Sequence, residues 1–381
     1  MSYQFIDQTD TLHAFCQSIQ SSPWLAIDTE FVRTDTYFPI LSLIQIQNAS
    51  GIAAIIDPIA IDDLSSLWAV LQDPNIVKVF HSARQDLEVL YQVSGQLPVN
   101  IFDTQIACVF LGHGDLAGLA RVVAAELNIT LEKSQTRTDW QQRPLSAEQL
   151  AYAIDDVRTL APLYEKCLSR LTPEQLDALQ QDFAALLEVR LYELAPQNAG
   201  EKIKTAKKLP RKNRAIAFRL AEWRERHAIE HNRPKRWILS DDVLVAIAKR
   251  PPANVEALYK VPHIKVSSIK TYGETWISLI DEVFSTPELW PILPPPDTPP
   301  SLQETVFLEI GFAWANQVAL DYHINPHNVI QKADLLALIR QSDRVLIGWR
   351  HLLIETPLRA FFRGEMPLCC DNNRLIQKTV T

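Results

Sequence analysis

Along the first 170 positions, apolar and polar residues follow two different periodicities, one typical of strands and one typical of helices. The sequence predicts strands over 25–31, 41–47, 52–57 and 77–81, and helices over 61–71, 116–127 and 147–168, with a further helix around Asp86. Three successive strands with short connections come first, and helices and strands alternate after them. This order predicts an α/β domain with a mixed sheet.

After residue 171 the pattern becomes helical. Thr172 to Gln175 and Ser301 to Glu304 match the capping box, and each opens a long amphipathic segment. Seven prolines between Pro287 and Pro300 predict an extended spacer. We therefore expect an α/β domain over 1–170, a helix and basic linker over 171–210, a helical domain over 211–288, a proline-rich linker over 289–300, a second helical domain over 301–368 and a tail over 369–381.

Bulk composition is that of a globular protein, with 381 residues, 47% hydrophobic and 22% charged. The length favours two or three domains. No apolar run reaches the roughly 20 residues that cross a bilayer, so no membrane partner is expected. The first residues lack the basic and then apolar order of a signal peptide, and the five cysteines are scattered. We expect a cytoplasmic, reduced protein.

Charge is unevenly distributed along the chain. The net charge is −8, yet Lys202 to Arg236 contains thirteen lysines and arginines against three glutamates, a local balance of +10. The remainder then carries −18. An acidic body with one concentrated basic segment suits metal binding in one place and phosphate binding in another. A solvated charged linker without a ligand explains the same run equally well.

Four carboxylates and a tyrosine in the α/β domain form the most informative pattern. Asp28 and Glu30 alternate along a strand, so both point to one face about 7 Å apart. Tyr152 and Asp156 are four apart in a helix, which brings their Cβ atoms to about 5–6 Å. If that helix packs on the strand, Asp156 joins the pair, and Asp86 near the start of another helix completes the group.

Such a cluster suits phosphodiester cleavage. Adjacent carboxylates repel one another unless a cation neutralises them, and oxygen ligands favour Mg²⁺ or Mn²⁺. Two ions roughly 3.5–4 Å apart can activate water and stabilise a leaving oxygen, and Tyr152 would orient that water. Taken singly, each of these residues is better explained as structural. Their order and context favour catalysis, which makes the chain a nuclease candidate.

Five blocks of sequence in the α/β domain form a recognisable set. The blocks are Ile27-Asp-Thr-Glu-Phe-Val-Arg33, Phe80-His-Ser-Ala-Arg-Gln-Asp-Leu87, Phe102-Asp-Thr-Gln-Ile-Ala107, Asp139-Trp-Gln-Gln-Arg-Pro-Leu145 and Gln149-Leu-Ala-Tyr-Ala-Ile-Asp-Asp-Val157. Together they resemble the ribonuclease D family of DEDD exonucleases. The resemblance implies a ribonuclease H-like fold and 3′-to-5′ exonuclease action that releases nucleoside 5′-monophosphates. It implies that transfer RNA precursors and other structured RNA 3′ ends are the substrates.

The resemblance also assigns roles to residues. Asp28, Glu30, Asp86 and Asp156 match the family's metal-binding acids, two ions per site, and Tyr152 matches the tyrosine of its DEDDy branch. Side chains beside these positions are candidate contacts to terminal nucleotides, and core packing explains most of them equally well. These candidate substrate contacts are Phe31, Tyr37, His81 and Lys133.

The helical regions resemble HRDC domains, a nucleic-acid-binding module. Leu220 to Arg226, Asn232 to Pro234 and Val261 to Ile264 support this for the first, where His263 stands at a position more often occupied by glycine. Gly348 to Leu353 marks a more diverged second copy. HRDC modules also dock proteins, so the partner of these regions is left open, as is the oligomeric state. A DNA exonuclease and a non-catalytic RNA-binding scaffold are the alternatives; the scaffold predicts loss of an acid or of the tyrosine, and all five are present.

Overall fold

The computed structural model describes residues 3–131, 135, 138–193, 195–292, 298–342 and 346–378. The chain divides into two compact units. Unit 1 comprises Met1–Val32, Leu41–Leu191 and Thr298–Thr381, and unit 2 comprises Arg33–Ile40 and Tyr192–Asp297.

A six-stranded mixed sheet forms the centre of unit 1. Its strands are β1 Gln4–Ile6, β2 Trp24–Val32, β3 Ile40–Asn48, β4 Ala53–Ile56, β5 Val77–Phe80 and β6 Ile101–Asp103. The spatial order is β1-β4-β3-β2-β5-β6. β4 pairs antiparallel with β3 and parallel with β1, and β5 pairs parallel with both β2 and β6. The predicted α/β class and mixed sheet are confirmed, and β2 lies at an interior position of the sheet.

Seven α-helices of unit 1 lie before Tyr192 in the chain, among the described residues. They are α1 Thr9–Ile19, α2 Ser65–Leu71, α3 Arg84–Ser94, α4 Thr104–Ala107, α5 Leu119–Leu127, α6 Ala147–Arg170 and α7 Pro173–Leu186. α6 and α7 begin at the two capping boxes formed by Ser146 with Gln149 and by Thr172 with Gln175. The periodicity therefore located both helices, whereas β1, α1, β6 and α4 were not predicted.

Unit 2 contains the first helical region, with helices α8 Arg211–Glu230, α9 Lys235–Ile238, α10 Asp241–Lys249, α11 Val255–Leu258 and α12 Val266–Ser285. Its core centres on Leu220, Leu244 and Trp276, which are all fully buried. His263 adopts the left-handed conformation, with φ +61°. A glycine is favoured at such a position, which explains the family preference there.

The second helical region lies in unit 1. Its helices are α13 Leu302–Tyr322, α14 Pro326–Val329, α15 Lys332–Ile339, α16 Gly348–Arg350 and α17 Thr356–Phe362. Leu335 and Ile354 share a core with Val109, which follows α4. The expected tail instead forms an antiparallel hairpin, β7 Leu368–Asp371 and β8 Arg374–Gln377, because Asn372 and Asn373 adopt positive φ at its turn. Within the described residues, every helix is too short or too polar to span a bilayer.

Candidate active site

β2 carries the first two acids of the site. Leu25, Ala26 and Ile27 are fully buried and fix the strand in the sheet. Alternation then turns Asp28 and Glu30 toward the same face, where both are half-buried. The apolar half of one strand thus anchors the acidic half.

α6 brings the third acid to the same point. The carboxylate oxygens of Asp28, Glu30 and Asp156 lie within 4.8 Å of one another. Tyr152, one helical turn earlier, lines the same cleft. Asp155 differs, since its side chain is 54% exposed and its carboxylate lies 3.6 Å from the Arg158 guanidinium. The helical register therefore separates two neighbouring aspartates into different surroundings.

Asp86 reaches the cleft from the first turn of α3 and is 7% exposed. The Thr29 hydroxyl donates a hydrogen bond to Asp86 Oδ1 at 2.5 Å. Thr29 lies between the two acids of β2 in sequence, so the strand that carries Asp28 also orients Asp86. Local sequence patterns carry no signal for this bond, because 57 residues separate the partners.

Burial and mutual repulsion hold protons on these acids. Burial raises the pKa of Asp28 to about 6 and that of Asp156 to about 8, where repulsion from Asp28 adds to the shift. The pKa of Glu30 rises to about 10, through burial first and then repulsion from Asp28, Asp156 and Asp86. Burial and Asp28 also raise the pKa of Asp86 well above its ordinary value, although the Thr29 hydrogen bond opposes this.

The donor set fits a divalent cation. Among the described residues, no lysine or arginine figures in the groups that set these four pKa values. A buried cluster of acids without a counter-charge is stable only when protonated or when a cation is bound. Oxygen-only ligands are those preferred by Mg²⁺ and Mn²⁺. The cleft that the acids line has a volume of about 370 Å³, within the range of small-ligand sites.

Asp103 fixes the turn that leads into α3. Its carboxylate accepts hydrogen bonds from the backbone N–H groups of Ser82 at 2.9 Å, Ala83 at 2.8 Å and Gln105 at 2.8 Å. The side chain is 2% exposed, and Ser82 has φ +66°. Because three backbone donors converge on one acid, the start of α3, and with it Asp86, is held in place.

A second anchor supports Tyr152. Arg143 donates two hydrogen bonds to the buried Asp57 carboxylate, at 2.5 and 2.7 Å. This arginine lies three residues beyond Trp140, whose buried ring has its centroid 6.0 Å from that of Tyr152. Gln149 donates to the Asp139 carbonyl at 3.2 Å, which ties the same loop to α6. The sequence block over 139–145 therefore contains residues that hold the ring of Tyr152 in position.

Phe31 and His81, two of the expected substrate contacts, line the acidic cleft. The ring of His81 is anchored, with Nδ1 2.9 Å from the Thr104 hydroxyl and Nε2 2.8 Å from the Ala117 carbonyl. Burial lowers the pKa of this imidazole. With both nitrogens engaged, His81 presents a fixed ring to the cleft.

Tyr37 lies elsewhere, in unit 2. Its ring is 7% exposed, its hydroxyl donates to Glu225 at 2.5 Å, and the Tyr37 and Phe38 N–H groups donate to Asn232 at 3.0 and 3.1 Å. These bonds join segment 33–40 to α8 and the loop after it, which favours a structural role for Tyr37. Lys133, the fourth expected contact, lies outside the described residues.

Unit 2 also carries a basic groove that the sequence analysis did not single out. Its volume is about 540 Å³, and it is lined by Arg33, Thr34, Thr36, Tyr37, Pro234, Lys235, Arg236 and Trp237. Trp237 is 50% exposed, which is unusual for so large an apolar ring. A tryptophan directly after a run of lysines and arginines was the available signal, since aromatic and cationic groups together suit bases and phosphates.

Comparison with family models gives two matches. Residues 3–172 match the model described as a 3′-5′ exonuclease, and residues 213–280 match the HRDC domain. The first range contains the four acids and Tyr152. The second extends from the first turn of α8 through most of α12.

Curated relatives match over most of the chain. Ribonuclease D of Pseudomonas paraeruginosa is 33% identical over 366 residues, covering 95% of this chain and 95% of its own length. Ribonuclease D of Escherichia coli is 36% identical over 289 residues, 76% of each chain. The crystal structure of Escherichia coli RNase D, described as an exoribonuclease involved in structured RNA processing, matches with a TM-score of 0.81 at 30% identity, covering 96% of this chain and 99% of that one.

Proposed function

The chain belongs to the ribonuclease D family and is a 3′-5′ exoribonuclease, and we propose that it trims the 3′ ends of structured RNAs, transfer RNA precursors among them. Each turnover hydrolyses the terminal phosphodiester and releases a nucleoside 5′-monophosphate. The acidic cleft of unit 1 is the site of this reaction.

In this proposal the four acids Asp28, Glu30, Asp86 and Asp156 hold two divalent ions, Mg²⁺ or Mn²⁺. Bound as a pair, such ions supply Lewis acidity to the entering water and to the leaving oxygen of a phosphodiester. The observation that most strongly supports the assignment is the convergence of carboxylates from β2 and α6 to within 4.8 Å. The raised pKa values of Asp28 and Asp156 support it too, because no basic side chain of the described part of the chain figures among the groups that set them.

Other residues of the chain position the reactants. Tyr152 lines the cleft one helical turn from Asp156, where its phenol can hydrogen-bond the attacking water and aim it at the phosphorus. Phe31 and the anchored ring of His81 offer surfaces against which the terminal nucleotide can pack. Thr29 and Asp103 hold Asp86 in position and are positioning residues.

Unit 2 binds the body of the RNA. The exposed ring of Trp237 can stack on an unpaired base while the cations of Lys235 and Arg236 approach the phosphates. Because phosphate contacts release counter-ions, binding there should weaken steeply as salt increases. Binding through unit 2 and hydrolysis in unit 1 are therefore separable by salt.

The test uses RNA labelled at its 5′ end and carrying an unstructured 3′ tail. Wild-type protein and Asp28→Asn are incubated with Mg²⁺, Mn²⁺ or EDTA. We expect a ladder that shortens from the 3′ end, requires metal and is absent from the variant. Tight RNA binding by wild type without cleavage in either metal would overturn the proposal and favour a scaffold. A matched DNA strand cut as fast as the RNA would identify a nuclease that ignores the 2′-hydroxyl.

A further inference from the structure

The last turn of α8 in unit 2 gathers three potential metal ligands. The sequence there is His227-Ala-Ile-Glu-His231, and the two histidines, four residues apart, share one face of the helix. Ligand atoms of His227, Glu230 and His231 all lie within 4.8 Å of one another. Nothing in the exonuclease reaction uses these residues.

Each imidazole has one nitrogen engaged by the protein. Nδ1 of His231 lies 3.0 Å from the His227 carbonyl oxygen, and because a carbonyl only accepts, Nδ1 carries the proton and Nε2 keeps the lone pair. Nε2 of His227 lies 3.1 Å from the Tyr272 hydroxyl oxygen. When that oxygen accepts a proton from Nε2, the lone pair is at Nδ1. Metal-bound histidines commonly have their second nitrogen held in this way.

Aromatic packing fixes the orientation of His227. Its ring stacks on Trp223, with centroids 5.3 Å apart and planes 14° apart, and meets the edge of Tyr272 at 5.0 Å. The rings of His227 and His231 have centroids only 4.0 Å apart. Two imidazoles are therefore close together before any ligand binds, which reduces the ordering that a bound ion would otherwise require.

The local charges favour neutral imidazole as the ligand. Burial, followed by His231, lowers the pKa of His227; Glu230 opposes this shift, and Arg233 contributes to it. Arg233 also repels any bound cation, and the Glu230 carboxylate compensates for that repulsion. A set of two nitrogens and one carboxylate differs in kind from the oxygen-only set of the acidic cleft.

We propose that His227, Glu230 and His231 bind one divalent transition-metal ion of the zinc class, with water completing the coordination. Imidazole and carboxylate ligands suit Zn²⁺, and three protein ligands with one open position are a common arrangement for it. This site lies outside the acidic cleft, takes a different class of ion, and stands whether or not the cleft cleaves RNA.

Calorimetric titration of the full-length protein with Zn²⁺ in excess Mg²⁺ tests the site. We expect one equivalent to bind in wild type. His231→Asn should weaken that binding on the order of tenfold or more, as loss of metal-site partners commonly does. His263→Asn is the matched control, since His263 is an exposed histidine of the same unit outside the cluster; its titration should equal that of wild type.

Equal affinity in wild type and His231→Asn, or no Zn²⁺ binding by wild type, would overturn the proposal. Zn²⁺ that enters the acidic cleft instead would be lost in Asp28→Asn, where the α8 site should be retained. If His231→Asn fails to fold, Glu230→Gln provides the test, because Glu230 is exposed and its substitution leaves the packed core untouched. Its titration should show the same weakening, and unchanged binding would again refute the site.

Discussion

The acidic cleft of unit 1 and the basic groove of unit 2 differ in how their charged side chains are placed. In the cleft, Asp28, Glu30 and Asp156 are pressed together and partly desolvated, so their charges are suppressed until a counter-ion arrives. In the groove, Arg236 is exposed, and the Lys235 ammonium lies 3.4 Å from the Glu225 carboxylate. Acids that are packed together despite their mutual repulsion indicate a catalytic role. Basic groups that remain exposed to solvent on the surface of a separate core indicate a binding role.

The two helical regions also differ in their packing, since one has a core of its own and the other shares the core of unit 1. In unit 2, α8, α10 and α12 form a core of their own around Trp276. In unit 1, α13 and α15 share a core with Val109 and neighbours of α4. Similar helical patterns in sequence thus form a separate unit in one case and part of unit 1 in the other. A truncation after residue 200 would therefore remove part of unit 1 together with unit 2. Point substitutions are the better way to test the division.

The largest effect is expected inside the cleft. Asp156→Asn should lower the rate of cleavage about a thousandfold or more, because a ligand that neutralises charge at the reacting phosphate is lost. Asp155→Asn is the matched control and should stay within about twofold, as for most surface changes. Single-turnover cleavage of labelled RNA measures both. Equal loss in the two variants would mean that the acids of α6 are assigned in the wrong register.

Much of this site could be predicted because it is local. Strand alternation orients Asp28 and Glu30, helical spacing pairs Tyr152 with Asp156, and the capping box of Ser146 locates the helix. Each of these rests on neighbours within four residues. The fold class followed from the same periodicities, which confirms that short-range patterns determine most of the element order.

What the sequence did not reveal depends on distant partners. β1 and β6 have three residues each, too few for alternation to register. The Thr29 bond to Asp86 and the Tyr37 bond to Glu225 span 57 and 188 residues. Tyr37 follows the strand of Asp28 and Glu30 in sequence, yet it packs in unit 2 and lines the basic groove, which proximity along the chain does not predict.

The second largest effect tests whether packing of the C-terminal helices stabilises unit 1, which carries the cleft. Gly348 has φ +60°, and a Cβ there would overlap the Asp182 carboxylate, which accepts the Trp349 N–H at 2.9 Å. Gly348→Ala should therefore destabilise unit 1 by roughly 2–4 kcal/mol, combining backbone strain with overpacking. Denaturant unfolding monitored in parallel with RNA cleavage gives the comparison.

Gly364→Ala is the control for that substitution. Gly364 also has positive φ, +75°, but an added Cβ would have no atom within 4 Å. It should cost only about 1 kcal/mol, from backbone strain alone. Similar losses in the two variants would show that the contact of α16 with Asp182 contributes little to unit 1.

A third effect is a pH-dependent stabilisation by Mg²⁺. The folded-state pKa values of Asp28 and Asp156 are raised from 3.8 to about 6 and about 8. Acids with raised values stabilise the fold when protonated, so that contribution is complete below the unfolded pKa and is lost as pH rises through the folded one. The metal-free protein should lose stability from about pH 4 to about pH 8 on this account.

Mg²⁺ should offset that loss. At about pH 8 fewer protons must be displaced than at about pH 5, so the rise in melting temperature on adding Mg²⁺ should be greater at the higher pH. Differential scanning calorimetry at both values measures it. Asp156→Asn, which removes one ligand, should reduce the difference. An equal rise at both pH values would argue that Mg²⁺ binds away from the acids.

The smallest effect is expected in the groove. Trp237→Ala should weaken binding of single-stranded RNA about tenfold, since stacking of a base on an aromatic ring is worth about 1–3 kcal/mol. Fluorescence anisotropy in the Asp28→Asn background measures affinity without cleavage. Tyr259→Ala is the matched control, because Tyr259 is also 50% exposed in unit 2 but does not line the groove.

Cleavage of a very short oligonucleotide by the single Trp237→Ala variant should stay near wild type, because the chemistry depends on the acids of unit 1. If cleavage of the short substrate fell as far as affinity for the long one, binding and chemistry would not be divided between the two regions.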